Sequence, residues 1–457
     1  MAGTRIASIS GLRGVVGDGL DPVAVVEYAA AYASECEPGA IVVGHDARKS
    51  SHVFLPAVIS GVTATGRDAI LAGAAATPTV GFLVRERQAV GGVVITASHN
   101  PPSYNGLKLF QPRGMVLSAE QGMDVLERWR DREFRWAEWS ALGRVATIED
   151  PDERHLQRIL EIIDVESIRA RKYLVLMDSC HGAGGRLASR MLRALGCTPI
   201  IVGGEPDGCY DHPPEPTESN LSKFTPLVAA AGAAIGFAQD PDADRLAIID
   251  ERGRYIGEEL TLALAALRRL EQVQGPVVLN MSTSRVTEEI AREHGCPVVR
   301  TPVGEIHVVE GMLAEDAVLG GEGNGGVIDP RIGYVRDSFV AMALVLDLLA
   351  TSDQPLSSWV DRLPKYAMVK AKYPLAAGRE PRVDPHLWSR IAAAYPDARS
   401  DLRDGLRLDW DAGWVHVRSS NTEPIVRVIA EAREEAIARQ LASAIGRWIS
   451  GDKELPV

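Results

Sequence analysis

The sequence predicts an α/β chain of three similar α/β domains with mixed, mostly parallel sheets, followed by a C-terminal α+β domain. Two observations lead there. Up to about residue 365, short β-rich runs alternate with Ala-rich helical segments, the pattern of βαβ units. Beyond that point two strand-like runs are joined by NTEP and followed by one long helical run, which predicts a hairpin and a helix. With 457 residues the chain has room for several domains of roughly 100–200 residues each.

Taken in order, the first domain (1–150) contains the apolar run IVVGHD at 41–46, a helical spacing over 51–65, and a second strand, GGVVITAS, at 91–98. A polar, Trp-containing stretch over 122–139 predicts another helix. The second domain (151–252) opens with YLVLMD at 173–178, turns at HGAGG into a helix over 186–195, and carries the strand AAIGFAQD at 233–240. The third (253–365) repeats the plan with PVVLNMS at 276–282, CPVVRT at 296–301 and AVLGGEGNGG at 317–326. No residue-level repeat accompanies that shared plan. The fourth (366–457) contributes GWVHVRSS at 413–420, IVRVIAEA at 425–432 and a helix over 433–449.

Composition narrows the function classes. A net charge of −12 without any Lys/Arg block argues against a nucleic-acid-binding surface, so an anion site should be small and local. The five cysteines (Cys36, Cys180, Cys197, Cys209, Cys296) are scattered with no CxxC spacing, which suggests neither a disulfide framework nor a zinc site. The opening MAGTRIASISGLRGVVG lacks the apolar core of a signal peptide, and no run reaches the roughly 18 apolar residues a membrane span needs. The expectation is a soluble cytoplasmic protein with a small-molecule partner, and neither nucleic acid nor membrane.

Four segments carry chemistry. In TASHNPPSYNGLKLF (96–110), Ser98 follows an apolar strand directly, on a loop stiffened by two prolines, where open α/β sheets place ligands. A strand-ending serine is commonly a structural or capping residue, and it needs a base, a metal or prior phosphorylation to act. His99 and Lys108 are candidates for handling protons. In DPDADR (240–245), Asp240, Asp242 and Asp244 concentrate charge that calls for a cation, and oxygen-only ligands suit Mg²⁺ or Ca²⁺. Glu251 falls at the twelfth position of an EF-hand count, but Arg245 stands where that loop needs Gly, and LAIID beyond it predicts a strand. The plain alternative is a solvated acidic turn.

In GEGNGG (321–326), Glu322 and Asn324 offer hydrogen bonds to sugar hydroxyls while the glycines allow close backbone approach. In RSSNTEPIVRV (418–428), Arg418, Ser419, Ser420, Asn421 and Thr422 surround one turn, with Arg427 on the returning strand, a set suited to cradling phosphate. Neither a GxxxxGK[ST] loop nor a complete GxGxxG is present.

In order and spacing these four segments resemble the signature set of the α-D-phosphohexomutase superfamily, over essentially the whole chain. The resemblance implies four domains around a central cleft. They would carry, in chain order, the phosphoserine, the metal, the sugar-binding loop and the phosphate-binding loop. It implies a phosphorylated Ser98, one Mg²⁺ held by Asp240, Asp242, Asp244 and the Ser98 group, and a hexose 1,6-bisphosphate as intermediate and activator. By the same resemblance Arg13 (in SGLRGVVG) lines the cleft, Lys108 assists proton transfer, and Arg245, Glu322, Asn324, Arg418, Ser420, Asn421, Thr422 and Arg427 bind substrate.

TPVGE (301–305), with Gly304, is similar to the sugar-specificity loop of phosphoglucosamine mutases. Asn324 stands where many members have serine, and Gly326 where many have histidine. RDS (336–338) differs from the TGDG of common bacterial forms, which points toward the archaeal-type branch. The expected reaction is interconversion of glucosamine 6-phosphate and glucosamine 1-phosphate by a monomer or homodimer, with phosphomannomutase/phosphoglucomutase as the alternative. A metal-dependent sugar-phosphate phosphatase stands further off, because hydrolysis needs neither a sugar loop nor a second phosphate cradle.

Overall fold

The computed structural model describes residues 5–8, 11–374, 385–419 and 425–450. Those residues form four sheets, of eight, four, four and five strands. The shared plan of the first three domains is a repeat of topology. In the first sheet the strands Asp68–Ala74, Ala40–His45, Gly91–Ile95 and Tyr104–Phe110 lie side by side in that spatial order. The first three of these run parallel and the last antiparallel.

The second sheet has the same order in Thr198–Val202, Leu174–Asp178, Ile235–Gln239 and Leu246–Asp250. The third has it in Val298–Thr301, Val277–Asn280, Leu319–Glu322 and Gly326–Ile328. Strands buried on both faces need continuous apolar runs. Gly91–Ile95, Ile235–Gln239 and Leu246–Asp250 are accordingly buried at every residue. The fourth sheet is antiparallel throughout, in the spatial order Ala367–Pro374, Ile425–Ala432, Gly413–Ser419, Leu406–Asp409, Arg399–Asp401.

The second and third domains share one core. The helix Ser338–Ala350 is buried at all 13 residues, so no face of it can be polar unless paired. Its one acid, Asp347, meets Arg268 at 2.7 Å. Asp337 caps its start, accepting from Phe339 N at 2.9 Å and Val340 N at 3.2 Å. Phe339 joins Val175, Phe237 and Leu279 in one cluster that spans both sheets. The first and fourth domains pack around clusters of their own, including Ile41, Phe54 and Val93 in one and Val415, Val428 and Ile445 in the other.

The fourth domain meets the third through polar contacts. Ser282 Oγ and His416 Nδ1 are 2.8 Å apart, Arg285 N donates to Glu431 Oε1 at 2.9 Å, and Arg407 donates to Met281 O.

Several boundaries differ from expectation, each for a local reason. The helix expected over 122–139 is Ala119–Asp131: a Ser118/Gln121 capping box starts it early, and Arg132 in the left-handed region stops it. Trp139 falls in a separate 3-10 turn, Trp139–Ala141. The strand expected over 91–98 ends at Ile95, because Thr96 onward turns to form a loop. The final helix is Glu435–Ser450, and its two preceding strands pair antiparallel as a hairpin whose turn lies outside the described residues. Among the described residues no helix is long and apolar enough to cross a membrane.

Candidate active site

The threefold topology places three turns on corresponding edges. In each of the first three sheets the turn after the third strand leads into the antiparallel fourth, at the carboxyl edge where parallel strands present ligand sites. In the first sheet that turn holds Ser98, in the second Asp240–Asp242–Asp244, and in the third Glu322 through Gly325. They touch one another. Ser98 Oγ donates to Asp240 Oδ2 at 2.8 Å, and Leu246 N donates to Gly325 O at 3.2 Å. Gly325, at φ +81°, has to be glycine, since a Cβ there would lie 2.2 Å from Leu246 O.

Ser98 is buried and sits in the left-handed region, with φ +50°. That conformation costs a non-glycine residue roughly 1–2 kcal/mol. Side chains hold it there. Ser98 N donates to Thr96 Oγ1 at 2.8 Å, and Thr96 Oγ1 donates to Asp46 Oδ2 at 2.6 Å. Arg48 donates to four carbonyls of the same loop: Ser98 at 2.5 Å, Asn100 at 2.7 Å, Pro101 at 2.8 Å and Tyr104 at 3.0 Å. Its Nε meets Asp46 Oδ2 at 2.9 Å.

Each aspartate of the second turn has one oxygen tied back by the protein. Asp240 Oδ1 accepts from Arg245 N at 3.1 Å, and Asp242 Oδ2 from Thr77 Oγ1 at 2.7 Å. Asp244 Oδ2 accepts from Lys108 Nζ at 2.7 Å and Arg336 Nη2 at 2.6 Å. The remaining oxygens Asp242 Oδ1 and Asp244 Oδ1 are buried with no hydrogen-bond partner among the described residues. The three carboxylates offer ligand atoms within 4.8 Å of one another. Buried orphan oxygens on hard carboxylates fit a hard divalent cation.

The charges around this point are strongly coupled. Burial, then the neighbouring Asp242 and Asp244, push the Asp240 carboxyl well above the usual range. Burial would raise Asp244 too, but Arg336, Lys108 and Arg245 hold it well below. Burial works against the charge on Lys108, yet Asp244 and Asp242 outweigh it and hold its pKa up at about 12. Arg245, then burial, then Arg13 push His99 down to about 2, so its imidazole is neutral; Nδ1 lies 3.3 Å from Ser98 Oγ. Burial also lowers Arg13, which interacts with Asp242, Arg245 and Asp244.

A second group adjoins the first. Glu322 Oε1 accepts from Asn280 Nδ2 at 2.8 Å and from Gly304 N at 3.2 Å, and Asn324 Nδ2 donates to Glu322 Oε2 at 3.3 Å. Arg336 Nη1 meets Glu322 Oε2 at 3.0 Å, linking this group to Asp244. The 301–305 loop also touches the fourth domain, where Val303 N donates to Asp404 Oδ2 at 3.0 Å. That carboxylate lies 3.3 Å from Arg418 Nε, and Arg427 is the cross-strand partner of Arg418. Ser420, Asn421 and Thr422 lie outside the described residues.

Comparison with known proteins gives the geometry a family. Profiles of the phosphoglucomutase/phosphomannomutase domains match in chain order. The alpha/beta/alpha domains I, II and III match residues 5–135, 153–253 and 257–366, and the C-terminal domain matches 380–447. A phosphoglucomutase/phosphomannomutase of Thermococcus kodakarensis is 38% identical over 439 residues, covering 94% of this chain and 95% of that protein.

This chain belongs to the phosphoglucomutase/phosphomannomutase family. It is a phosphohexomutase, an isomerase that acts as an intramolecular phosphotransferase. A protein of Methanopyrus kandleri named "Probable phosphoglucosamine mutase" is 36% identical over 434 residues, with 94% of this chain and 95% of that one covered. The solved structure of a Burkholderia thailandensis member superposes with a TM-score of 0.86 at 26% identity, covering 99% of both chains.

Within this phosphohexomutase the structure gathers Arg13, Ser98, His99, Lys108, Asp240, Asp242, Asp244 and Arg245 at one point, with Gly304, Glu322 and Asn324 beside it. Sequence reasoning missed the residues that position them: Asp46, Arg48, Thr77, Thr96, Arg336 and Asp404. A signal existed for two of these. Asp46 and Arg48 follow the strand Ala40–His45, at the sheet edge that carries Ser98. The RDS departure marks Arg336 but gives it no role, because its reach to Asp244 crosses from the third domain to the second; Asp404, which receives Val303 N from the third domain, carries no local signal.

Proposed function

We propose that this phosphohexomutase interconverts glucosamine 6-phosphate and glucosamine 1-phosphate through a phosphorylated Ser98 and a glucosamine 1,6-bisphosphate intermediate, as a cytoplasmic monomer or homodimer. The observation that carries the mechanism is Ser98 Oγ, 2.8 Å from Asp240, beside the orphan oxygens of Asp242 and Asp244. Asp240, Asp242, Asp244 and the Ser98 oxygen would hold Mg²⁺, which when bound supplies positive charge to the phosphoryl oxygens. In the forward half-reaction the Ser98 O–P bond breaks, a bond forms to the free sugar hydroxyl, and that hydroxyl's proton passes to the protein. After the bisphosphate reorients, its other phosphoryl group returns to Ser98.

The chain's own groups suit these steps. Lys108, charged at neutral pH, sits against Asp242 and Asp244 and can offset negative charge gathering at the transferring group. Glu322 and Asn324 orient sugar hydroxyls, and Arg418 with Arg427 holds the phosphate that does not react. The glucosamine assignment rests on the 301–305 loop, whose sequence TPVGE has no basic residue and ends in Glu305, and on relatives named as glucosamine mutases. The name of the 38%-identical relative favours a second reading, phosphoglucomutase/phosphomannomutase.

The test is a side-by-side assay with Mg²⁺ and a trace of the matching hexose 1,6-bisphosphate. Its substrates are glucosamine 6-phosphate, glucose 1-phosphate and mannose 1-phosphate. A preference of tenfold or more for glucosamine, about 1.4 kcal/mol in the transition state, is expected. Preference for glucose or mannose overturns the sugar assignment and leaves the mutase. Inorganic phosphate released as fast as isomer would instead indicate a phosphatase.

A further inference from the structure

We infer that Arg336 is a positioning residue that couples the cation site to the sugar site, so that the affinity for a divalent cation depends on whether a hexose phosphate is bound, and the reverse. The inference rests on the mutase reading of the cleft. One guanidinium, buried with its residue only 7% exposed, serves three carboxylates from three separate segments. Nη2 meets Asp244 Oδ2 at 2.6 Å and Glu305 Oε2 at 3.3 Å, while Nη1 meets Glu322 Oε2 at 3.0 Å. The Arg336 backbone N also donates to Glu305 Oε1 at 3.0 Å, which fixes where the side chain starts. Asp244 belongs to the cation turn, Glu322 to the sugar turn and Glu305 to the 301–305 loop.

A route has been left for this side chain. A Cβ on Gly326 would lie 2.3 Å from Arg336 Cδ and 2.8 Å from Cγ, so the arginine stem passes through the space that glycine vacates. The two sequence departures at 326 and 336 are therefore one structural unit. Gly326 is itself anchored, pairing with Glu322 across the strands Leu319–Glu322 and Gly326–Ile328.

Coupling follows from sharing. Arg336 and Lys108 both hold Asp244 by Oδ2, leaving Oδ1 for a cation. A cation that draws on Asp244 shifts the guanidinium's balance between Asp244 and the pair Glu305/Glu322. A sugar that hydrogen-bonds Glu322 shifts it from the other side. Two ligands that bias one shared element are linked, and linkage is reciprocal. Lysine could not replace the arginine, because a single ammonium does not span three carboxylates in a planar fork.

The experiment measures binding to the full, unphosphorylated chain with Mn²⁺ as the spectroscopic cation and glucosamine 6-phosphate as the sugar. Free Mn²⁺ is followed by electron paramagnetic resonance and the sugar phosphate by calorimetry, each with and without the other. For the native chain, saturating sugar phosphate should change the Mn²⁺ affinity about fivefold or more, with the same factor in reverse. In Arg336→Met both ligands should still bind, with the coupling factor within about twofold of unity. Arg336→Lys and Gly326→Ala keep a cation and should fall between, so the inference stays decidable if the methionine variant does not fold. A purely structural role would weaken both affinities and leave the factor unchanged. Native coupling within twofold of unity, or native-strength coupling in any folded variant, overturns the inference. Mn²⁺ binding without saturable binding of glucosamine, glucose or mannose phosphates overturns the mutase reading, and this inference with it.

Discussion

Arg48 shows what holds Ser98 in place. Its guanidinium accounts for four carbonyls of the loop that carries Ser98, and with Thr96 and Asp46 it holds the left-handed backbone there. Arg48→Lys keeps the charge but cannot donate to four acceptors in a plane. Steady-state kinetics at fixed Mg²⁺ should show kcat reduced about 10²-fold, the scale of a small misplacement of a reacting group, with KM little changed. Lys108→Met removes the ammonium that lies against Asp242 and Asp244, and should lower kcat about 10²–10⁴-fold. Ser98 and the three aspartates were legible as candidates because their motifs are local: TASHN and DPDADR each pack their polar groups into a few consecutive positions. Their supports were not: the RDS departure marks Arg336 but not its reach to Asp244 in the second domain, and Asp404 leaves no pattern along the chain for its contact with Val303 in the third.

At the scale of elements, the contact between the third and fourth domains turns on a buried histidine. His416 lies between Ser282 Oγ at 2.8 Å and Asp404 O at 2.7 Å, and burial pushes its pKa down to about 4 despite the Asp404 contact. Asp404, Arg407 and Arg418 are the charged groups that face it. The folded chain therefore declines a proton that the unfolded chain takes up near pH 6.5, so stability falls as pH drops from about 6.5 toward 4. The loss is on the order of 3 kcal/mol at most. Denaturant midpoints across that range should show it, and His416→Gln should flatten that limb. Strand and helix positions were largely legible here: Ile425–Ala432 alternates in burial over its first six residues, and Gly413–Ser419, buried over its first five, is legible as a β-rich run joined to it by a turn. Element ends were less so: the stop at Arg132 depends on a left-handed cap that periodicity does not encode.

For the molecule as a whole, the repeated strand order brings three equivalent turns to one place, and that repeat was invisible residue by residue. The second and third domains are fused by the buried helix Ser338–Ala350, whereas the fourth has its own core and a polar seam. A cation bound between the first and second domains should therefore stabilise the whole. Mg²⁺ at about 100 times its Kd should add about 2.7 kcal/mol, read as a higher Tm, and Asp242→Asn should abolish the shift. Removing Mg²⁺ with a chelator should stop turnover.

The most direct test of the account follows the phosphoryl group itself. Chain phosphorylated with labelled phosphate on Ser98 is mixed with Mg²⁺ and glucosamine 6-phosphate, and the label is traced over a single turnover. The account predicts that label leaves the protein into a hexose bisphosphate, and that Ser98→Ala neither takes up label nor isomerises substrate. Label appearing directly as inorganic phosphate, or undiminished mutase activity in Ser98→Ala, would contradict it.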